Sequence, residues 1–592
     1  MYVIATAGHV DHGKSTLIRA LTGMEPDRWA EERRRGMTID LGYAWTRLDD
    51  GVEVAFVDVP GHERFATNML AGVGPVPAVL LVIAADSGWA AQTEDHVRAL
   101  DALGVRHGLV AVTRSDLADP APAVDEAEDR LAETTLAGAR IVAVSGATGM
   151  GLDELRAGLR ELVAQLPAPD PQARIRFWID RSFTIKGSGT VVTGTLQAGT
   201  LHQGDTLELR GSKVTVRTLQ SLGAPISEVR GTARVAVNLR GIASDEVGRG
   251  DALLTPGAWH ATDIVDVRVD ADDTPTQPVV HVGSAAVPAR ARKLGGDAHL
   301  LRLRLAAPLP LSVGDRLLLR DPGRRSLVGG ATVLDAAPPE LTRRGAARRR
   351  AEELVEDTGA PDLAHELARR GAAPAALLEA VGVATADPLP PEAVRAGAWL
   401  VDRSAWQRWL DELHTAVEAS SNGALLRSGV PRADLVRTLA LPEPRLLDPL
   451  LAAAADLEQV DGRVRRRGAV AGLRPDLARA VERLEALLRD EPFAAPEKAA
   501  LQQMGLGPRE LGAVAASGAV LRLPGDVVLL PDAPQRAAEC LRTLPQPFSM
   551  STARQALNTS RRVAVPLLEH LDAAGVTQRV DGGLRRLRSP DG

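Results

Sequence analysis

The chain has 592 residues, a length that calls for several domains rather than one core. With 45% apolar residues and a formal net charge of −6, it is neither a largely disordered chain nor a globally basic nucleic-acid coat, so any RNA or DNA contact must use a local patch. Its single cysteine, Cys540, excludes an intrachain disulfide framework and a cysteine-rich zinc site. The start lacks a basic n-region and no run of about eighteen apolar residues occurs, so the expectation is a cytoplasmic chain without signal peptide or membrane span.

The first stretch, MYVIATAGHVDHGKSTLIRALTG, predicts an apolar strand, a tight loop and a helix. Gly8 to Ser15 fits G-x-x-x-x-G-K-[ST], a loop whose backbone N–H groups turn inward around phosphates while the helix N-terminus adds its positive end. Gly8, His9, Val10, Asp11, His12, Gly13, Lys14, Ser15 and Thr16 are therefore candidate GTP-binding residues, with Lys14 reaching the β- and γ-phosphates. VEVAFVDVPGHERF predicts a buried strand ending in Asp58-x-x-Gly61, where the Asp holds Mg²⁺ through water and the Gly senses the γ-phosphate. Upstream, RRRGMTIDLGYAW offers Thr38 as the residue that closes over γ-phosphate and metal. Ser15, Thr38 and Asp58 form the predicted Mg²⁺ set.

A third strand, HGLVAVTRSD, ends where guanine-specific GTPases carry N-K-x-D. Here Thr113, Arg114, Ser115 and Asp116 stand in those places. Asp116 can accept from guanine N1–H and the 2-amino group, and Arg114 can stack on the base. IVAVSGATG then supplies Ser145, Gly146 and Ala147 as the last base-contacting loop. Four motifs in order, each after a strand, favour GTP over ATP. His62 follows Gly61 directly, in the slot where Ras-type GTPases place a water-orienting glutamine.

After the proline-rich QLPAPDPQAR the pattern changes to short strands with Gly-Asp turns, as in RFWIDRSFTIKGSGTVVTGTLQAGTLHQGDTLEL, and a second such stretch runs from about 257 to 340. Both predict small β-barrels. LTRRGAARRRAEELVED then leaves as a basic helical connector. Beyond it, helix, turn, helix and two short strands recur roughly every sixty residues, with hairpin turns at Asp461–Gly462, Gly525–Asp526 and Asp581–Gly582; these are winged-helix units. Pro545–Gly592 carries seven Arg against four Asp or Glu. Ser560 is expected to cap the helix opened by Arg561 and Arg562, where the helix dipole disfavours cations and an external anion would offset the cost. With Arg579, Arg585, Arg586 and Arg588 flanking the wing, the cluster is a candidate RNA-binding face, although a solvated charged face accounts for any one arginine. The predicted fold is multidomain: an α/β P-loop GTPase domain (1–170), two β-barrels (174–256 and 257–340) and tandem α+β winged-helix modules (341–412, 413–476, 477–540, 541–592).

AGHVDHGKSTL, RGMTIDLGYA, DVPGHERF, NMLAGVG and IDRSFTIKGSGTVVTGT, followed by a long tail, resemble the bacterial selenocysteine-specific elongation factors, the SelB family of translational GTPases. The resemblance implies a GTPase that delivers selenocysteinyl-tRNA to the ribosome at UGA codons marked by an mRNA hairpin, the SECIS element, which the last winged helix grips. It implies that His62 aligns the attacking water after ribosome docking. It also implies an aminoacyl pocket at Asp180, Arg181 and Arg234 with Tyr43 nearby; without the resemblance, Asp180 and Arg181 fit an ordinary ion pair of a barrel. The expected cofactors are GTP/GDP and Mg²⁺, and the expected state is a monomer. A general aminoacyl-tRNA or initiator-tRNA carrier and a GTP-regulated DNA-binding protein are the rival functions.

Overall fold

The computed structural model describes residues 1–26, 38, 40–62, 65–74, 76–185, 189–296, 299–324, 326–423, 429–467, 475–580 and 583–588. All of RRRGM before Thr38, together with Ile39, Glu63, Arg64, 186–188 and the predicted turn Asp581–Gly582, lies outside the described residues. The chain divides into two units, Met1–Ala393 and Val394–Gly592.

The first unit opens with a six-stranded sheet in the order β2-β3-β1-β4-β5-β6. Its strands are β1 (Tyr2–Ala7), β2 (Gly42–Arg47), β3 (Glu53–Asp58), β4 (Ala78–Ala84), β5 (His107–Thr113) and β6 (Arg140–Ala143). All neighbours are parallel except β2 against β3. Every residue of β4, AVLLVIA, is buried, as a central parallel strand covered by helices on both faces requires. The period of two shows in β1: Val3, Ala5 and Ala7 join the core beneath α2 (Ala66–Val73) and α3 (Ala91–Ala102), while Ile4 joins the core beneath α1 (Lys14–Thr22) and α5 (Leu152–Gln165). Helix α4 (Ala121–Leu131) lies between β5 and β6 in sequence. The nucleotide motifs all fall at the C-terminal ends of β1, β3, β5 and β6, the edge where open α/β sheets place their ligands.

Two barrels follow. The first holds β7 (Arg176–Ile185), β8 (Gly189–Leu196), β9 (Thr200–His202), β10 (Thr206–Leu209), β11 (Ser212–Ser221), β12 (Ala224–Ile226), β13 (Glu228–Arg230), β14 (Ala233–Arg240) and β15 (Ala252–Leu254); its strands run in the order β10-β15-β7-β8-β14-β11, and β10 pairs back to β11. Alternating Val235, Val237 and Leu239 of β14 point into its core. The second, β16 (Ala261–Val269), β17 (Val279–Val282), β18 (Ala285–Lys293), β19 (Leu300–Pro310), β20 (Arg316–Asp321) and β21 (Ser326–Asp335), closes in the order β16-β19-β18-β17-β20-β21. The connector forms α6 (Ala346–Leu354), followed by α7 (Leu363–Arg370), and an ionic network fastens both to this barrel. Buried Asp266 accepts from Arg302 (2.7 Å) and Arg350 (2.8 Å). Buried Asp335 accepts from Arg350 (2.5 Å), Arg369 (2.6 Å) and Arg370 (2.5 Å), and buried Glu366 accepts from the last two. Burial alone would raise the Asp335 carboxyl, but Arg369, Arg370 and Arg350 hold it below the usual carboxylate range.

In the second unit, the hairpin Leu457–Val460 with Arg463–Arg466 turns at Asp461 and Gly462, both at positive φ, and Leu521–Leu523 with Val527–Leu529 turns through Gly525 and Asp526. One apolar core, including Leu484, Leu511, Val528, Leu541, Phe548 and Leu567, runs through the elements from Leu477 to Leu571. Among the described residues no helix is long and apolar enough to cross a membrane.

Candidate functional site

The loop between β1 and α1 is shaped by close backbone approach. Gly8 has φ +127°, and a Cβ there would lie 2.1 Å from the Val82 carbonyl oxygen, so no other residue fits. Gly61 is tight as well: a Cβ would meet the Val10 nitrogen at 2.5 Å and Lys14 Nζ at 2.7 Å. Lys14 Nζ donates to the carbonyls of Gly8 (3.0 Å) and His9 (2.8 Å), which holds the charge inside the loop. Ser15 Oγ donates to Asp58 Oδ2 at 2.7 Å and lies 3.1 Å from Thr38 Oγ1; Thr6 Oγ1 donates to Asp58 Oδ1 at 2.7 Å. The three residues predicted to hold Mg²⁺ thus converge as two hydroxyls and one buried carboxylate, a hard-oxygen set that suits this ion.

Helix α3 contributes two residues that no motif marked. The Gly8 N–H donates to His96 Nδ1 (3.0 Å) and the Val10 N–H to Gln92 Oε1 (3.2 Å). Burial, then the charges of Lys14 and His9, push His96 down to about 3. An unfolded histidine takes its proton near 6.5, so stability is undiminished above that pH. It falls, by up to ~1.4 kcal/mol per pH unit, as pH drops toward the folded value. Exchanging His96 for Gln is expected to flatten the acid limb of an unfolding-versus-pH curve.

On the base-binding side, Thr113 Oγ1 donates to the His12 carbonyl (2.7 Å), and Ser145 Oγ accepts from the N–H groups of Ala147 (3.3 Å) and Thr148 (3.1 Å). The adjoining Gly146 packs over Thr16 and Leu17 of α1. Asp116 is exposed. The Arg114 guanidinium, offered above for base stacking, is drawn instead to Asp86 (2.8 Å) and the Asp11 carbonyl. His62 is half-exposed, with its ring edge-on to Phe65 at 6.1 Å between centroids.

The predicted aminoacyl residues meet between the GTPase domain and the first barrel. Arg234 pairs with Asp180 through both terminal guanidinium nitrogens, Nη1 to Oδ2 and Nη2 to Oδ1 (2.8 Å), and its guanidinium carbon stands 3.9 Å from the centre of the Tyr43 ring. Arg181 stands 4.9 Å from the same ring. The ring therefore contacts two cations. An Asp180–Arg181 ion pair does not form: Arg181 lies 3.1 Å from Asp40 and donates to the Leu41 carbonyl. Burial lowers Arg234 most strongly, yet Asp180 and Tyr43 leave it raised overall; burial raises the Tyr43 hydroxyl, which has no hydrogen-bond partner among the described residues. Asp40 and Asn68, which lie in the RGMTIDLGYA and NMLAGVG stretches without having been given a role there, complete the cluster with Arg249.

At the far end the six arginines divide. Arg579 and Arg585 face each other across the last hairpin, and Asp572 receives both, at 3.2 and 3.0 Å. Arg585 is buried and structural. Ser560 occupies the N-cap but makes no side-chain cap bond, contrary to expectation. Nor does the first-turn cost require an external anion alone: Arg562 donates to the carbonyls of Ala495 (2.5 Å) and Pro496 (3.2 Å). Arg561, Arg586 and Arg588 are exposed, and Arg586 stands on the hairpin face opposite Asp572.

A P-loop domain followed by two barrels, with the hydroxyl–carboxylate set at its phosphate loop, defines a translational GTPase. Residues 1–165 match the family model for the elongation factor Tu GTP binding domain, and 189–254 the model for elongation factor Tu domain 2. Residues 262–340 match the beta-barrel domain of selenocysteine-specific elongation factor, and 539–587 the winged helix of elongation factor SelB. The selenocysteine-specific elongation factor of Escherichia coli K12 is 34% identical over 98% of this chain and 97% of its own length; that of Desulfomicrobium baculatum is 39% identical over 56% and 55%. A crystal structure of bacterial selenocysteine-specific elongation factor EF-Sec superposes with TM-score 0.70 at 25% identity, covering 99% of this chain and 100% of that one. The chain belongs to the selenocysteine-specific elongation factors, and guanine nucleotide is its cofactor.

Proposed function

We propose that the chain, in its GTP form, carries selenocysteinyl-tRNA to the ribosome at UGA codons marked by an mRNA hairpin, as a cytoplasmic monomer. The observation that carries this is the Tyr43 ring against Arg181 and Arg234. A selenol is more acidic than a thiol and is an anion at neutral pH, whereas the serine precursor on the same tRNA is neutral and smaller. The cluster sets Arg181, Arg234 and Arg249 against Asp180 and Asp40, and in a partly dry pocket that surplus positive charge stabilises the anion and is left unmatched by serine.

Ser15, Thr38 and Asp58 would hold a magnesium ion, which would supply positive charge against the phosphates. Lys14 and N–H groups of the Gly8–Thr16 loop cradle the phosphates, Asp116 recognises guanine, and His62 orients the attacking water once the ribosome engages. The exposed Arg561, Arg586 and Arg588 hold RNA phosphates, and joining this grip to the tRNA site in one chain raises the local concentration of tRNA at one codon.

Arg181→Ala and Arg234→Ala, tested singly for retention of selenocysteinyl- and seryl-tRNA in the GTP form, are expected to lose most of the discrimination while keeping GTP affinity; discrimination equal to wild type would remove the pocket from the reading. The double variant Arg586→Ala/Arg588→Ala is expected to weaken filter binding of the genome's UGA-flanking hairpin by about tenfold or more and to lower its salt dependence by roughly two counterions. A salt slope equal to wild type would place the RNA elsewhere.

A further inference from the structure

Arg181, on β7, and Arg249, in the loop between β14 and β15, come from separate parts of the first barrel and converge on one carboxylate. Arg249 Nη2 donates to Asp40 Oδ1 at 2.7 Å, and Arg181 Nη2 lies 3.1 Å from Asp40 Oδ2, so each oxygen takes one arginine. Arg249 does more: Nη1 donates to Asn68 Oδ1 (2.6 Å) on α2, and Nε to the Asp180 carbonyl (2.9 Å). Its guanidinium thereby ties both segments that flank the phosphate loop to the backbone of the residue that pairs with Arg234. Two positions before Asp40, Thr38 meets Ser15 at 3.1 Å; three positions after it, Tyr43 meets Arg181 and Arg234. Thr38, Asp40 and Tyr43 therefore bear, within a short stretch, the contact to the nucleotide loop, the arginine bridge and the pocket wall.

We propose that Asp40 is a positioning residue that converts closure of the Thr38 segment over the nucleotide site into the alignment of Arg181 and Arg249, so that the aminoacyl pocket is assembled in the triphosphate form. This deepens, and rests on, the pocket reading given above. The physical case is that two guanidiniums repel unless one anion sits between them, and a carboxylate with one oxygen for each fixes both planes as well as both positions. Because the anion belongs to the segment that carries Thr38, withdrawal of that segment after hydrolysis takes the bridge away. Arg181 then loses Asp40 and the Leu41 carbonyl together, and Arg249 keeps only Asn68 and the Asp180 backbone.

A plain counter-charge at this position makes the opposite prediction. Removing it would leave two uncompensated arginines and strengthen binding of polyanionic tRNA in both nucleotide forms alike. The experiment measures selenocysteinyl-tRNA affinity of the full chain with a non-hydrolysable GTP analogue and with GDP, for wild type, Asp40→Asn and Asp40→Glu, with nucleotide affinity measured alongside. Asp40→Asn is expected to lower the GTP-over-GDP affinity ratio by about tenfold, through loss in the triphosphate form, at unchanged nucleotide affinity, and Asp40→Glu to restore part of it. An unchanged ratio, or an equal gain in both forms, overturns the proposal, as does a wild type with no difference between forms. Seryl-tRNA, run in parallel, keeps the two readings apart: a wild type that ignores the amino acid but loses its ratio in Asp40→Asn would refute the pocket reading and retain Asp40 as the coupler.

Discussion

Asp335→Ala is expected to loosen the attachment of the connector helices by ~3–5 kcal/mol, the scale on which removing one partner of a buried ion network destabilises a fold. Asp335 is 0% exposed and is the acceptor shared by Arg350, Arg369 and Arg370, so its loss leaves three guanidiniums crowded on the barrel with one anion fewer between them. The measurement is amide hydrogen exchange along Ser326–Asp335 and through Leu363–Arg370, which reports local opening without requiring the whole chain to unfold in one step. Arg348→Ala, which breaks an exposed pair with Glu352, is the control and is expected to change nothing measurable. Because Asp335 is held below the ordinary carboxylate range, its contribution is present at neutral pH and disappears as pH falls through that lowered value.

His62→Ala is expected to reduce ribosome-stimulated GTP hydrolysis by roughly 10²–10⁴-fold, the range of a single positioned catalytic group, with GTP affinity unchanged. The geometry leaves the ring to be turned by an external contact, as the proposed activation by the ribosome requires. Gly61, packed against the phosphate loop, fixes the backbone just before His62, while the imidazole is turned to Phe65. It borders a cavity of about 250 Å³ lined also by Gln92 and His96 of α3 and by Arg320 and Arg324 of the second barrel. The ring thus has room to rotate, and an external contact can select the rotamer that faces the attacking water. A stimulated rate equal to wild type would remove His62 from the chemistry.

What the sequence revealed and what it hid divide along a physical line. The nucleotide site was legible because each part is contiguous: a strand supplies a direction, a glycine supplies a close approach, and the reactive side chain follows within a few residues. The barrels and hairpins were legible from alternation and turn residues. Arg249 and Asn68 were not, because they join Asp40 only when a barrel loop, a helix and a switch segment meet, and no local spacing marks such a meeting. Gln92 and His96 were missed for the same reason. The errors at the far end also concern contacts at a distance in sequence. Arg562 is satisfied by carbonyls more than sixty residues earlier, and Arg585 by Asp572 across the hairpin, so counting arginines overstated the cations left for RNA.

The central claim, that paired guanidiniums select an ionised selenium side chain in the triphosphate form, is tested most directly by comparing retention of selenocysteinyl-tRNA and seryl-tRNA by the intact chain bound to a non-hydrolysable GTP analogue. Tighter retention of the selenocysteinyl form by about a hundredfold or more is expected, lost when GDP replaces the analogue. Equal retention of the two tRNAs in the triphosphate form would contradict it.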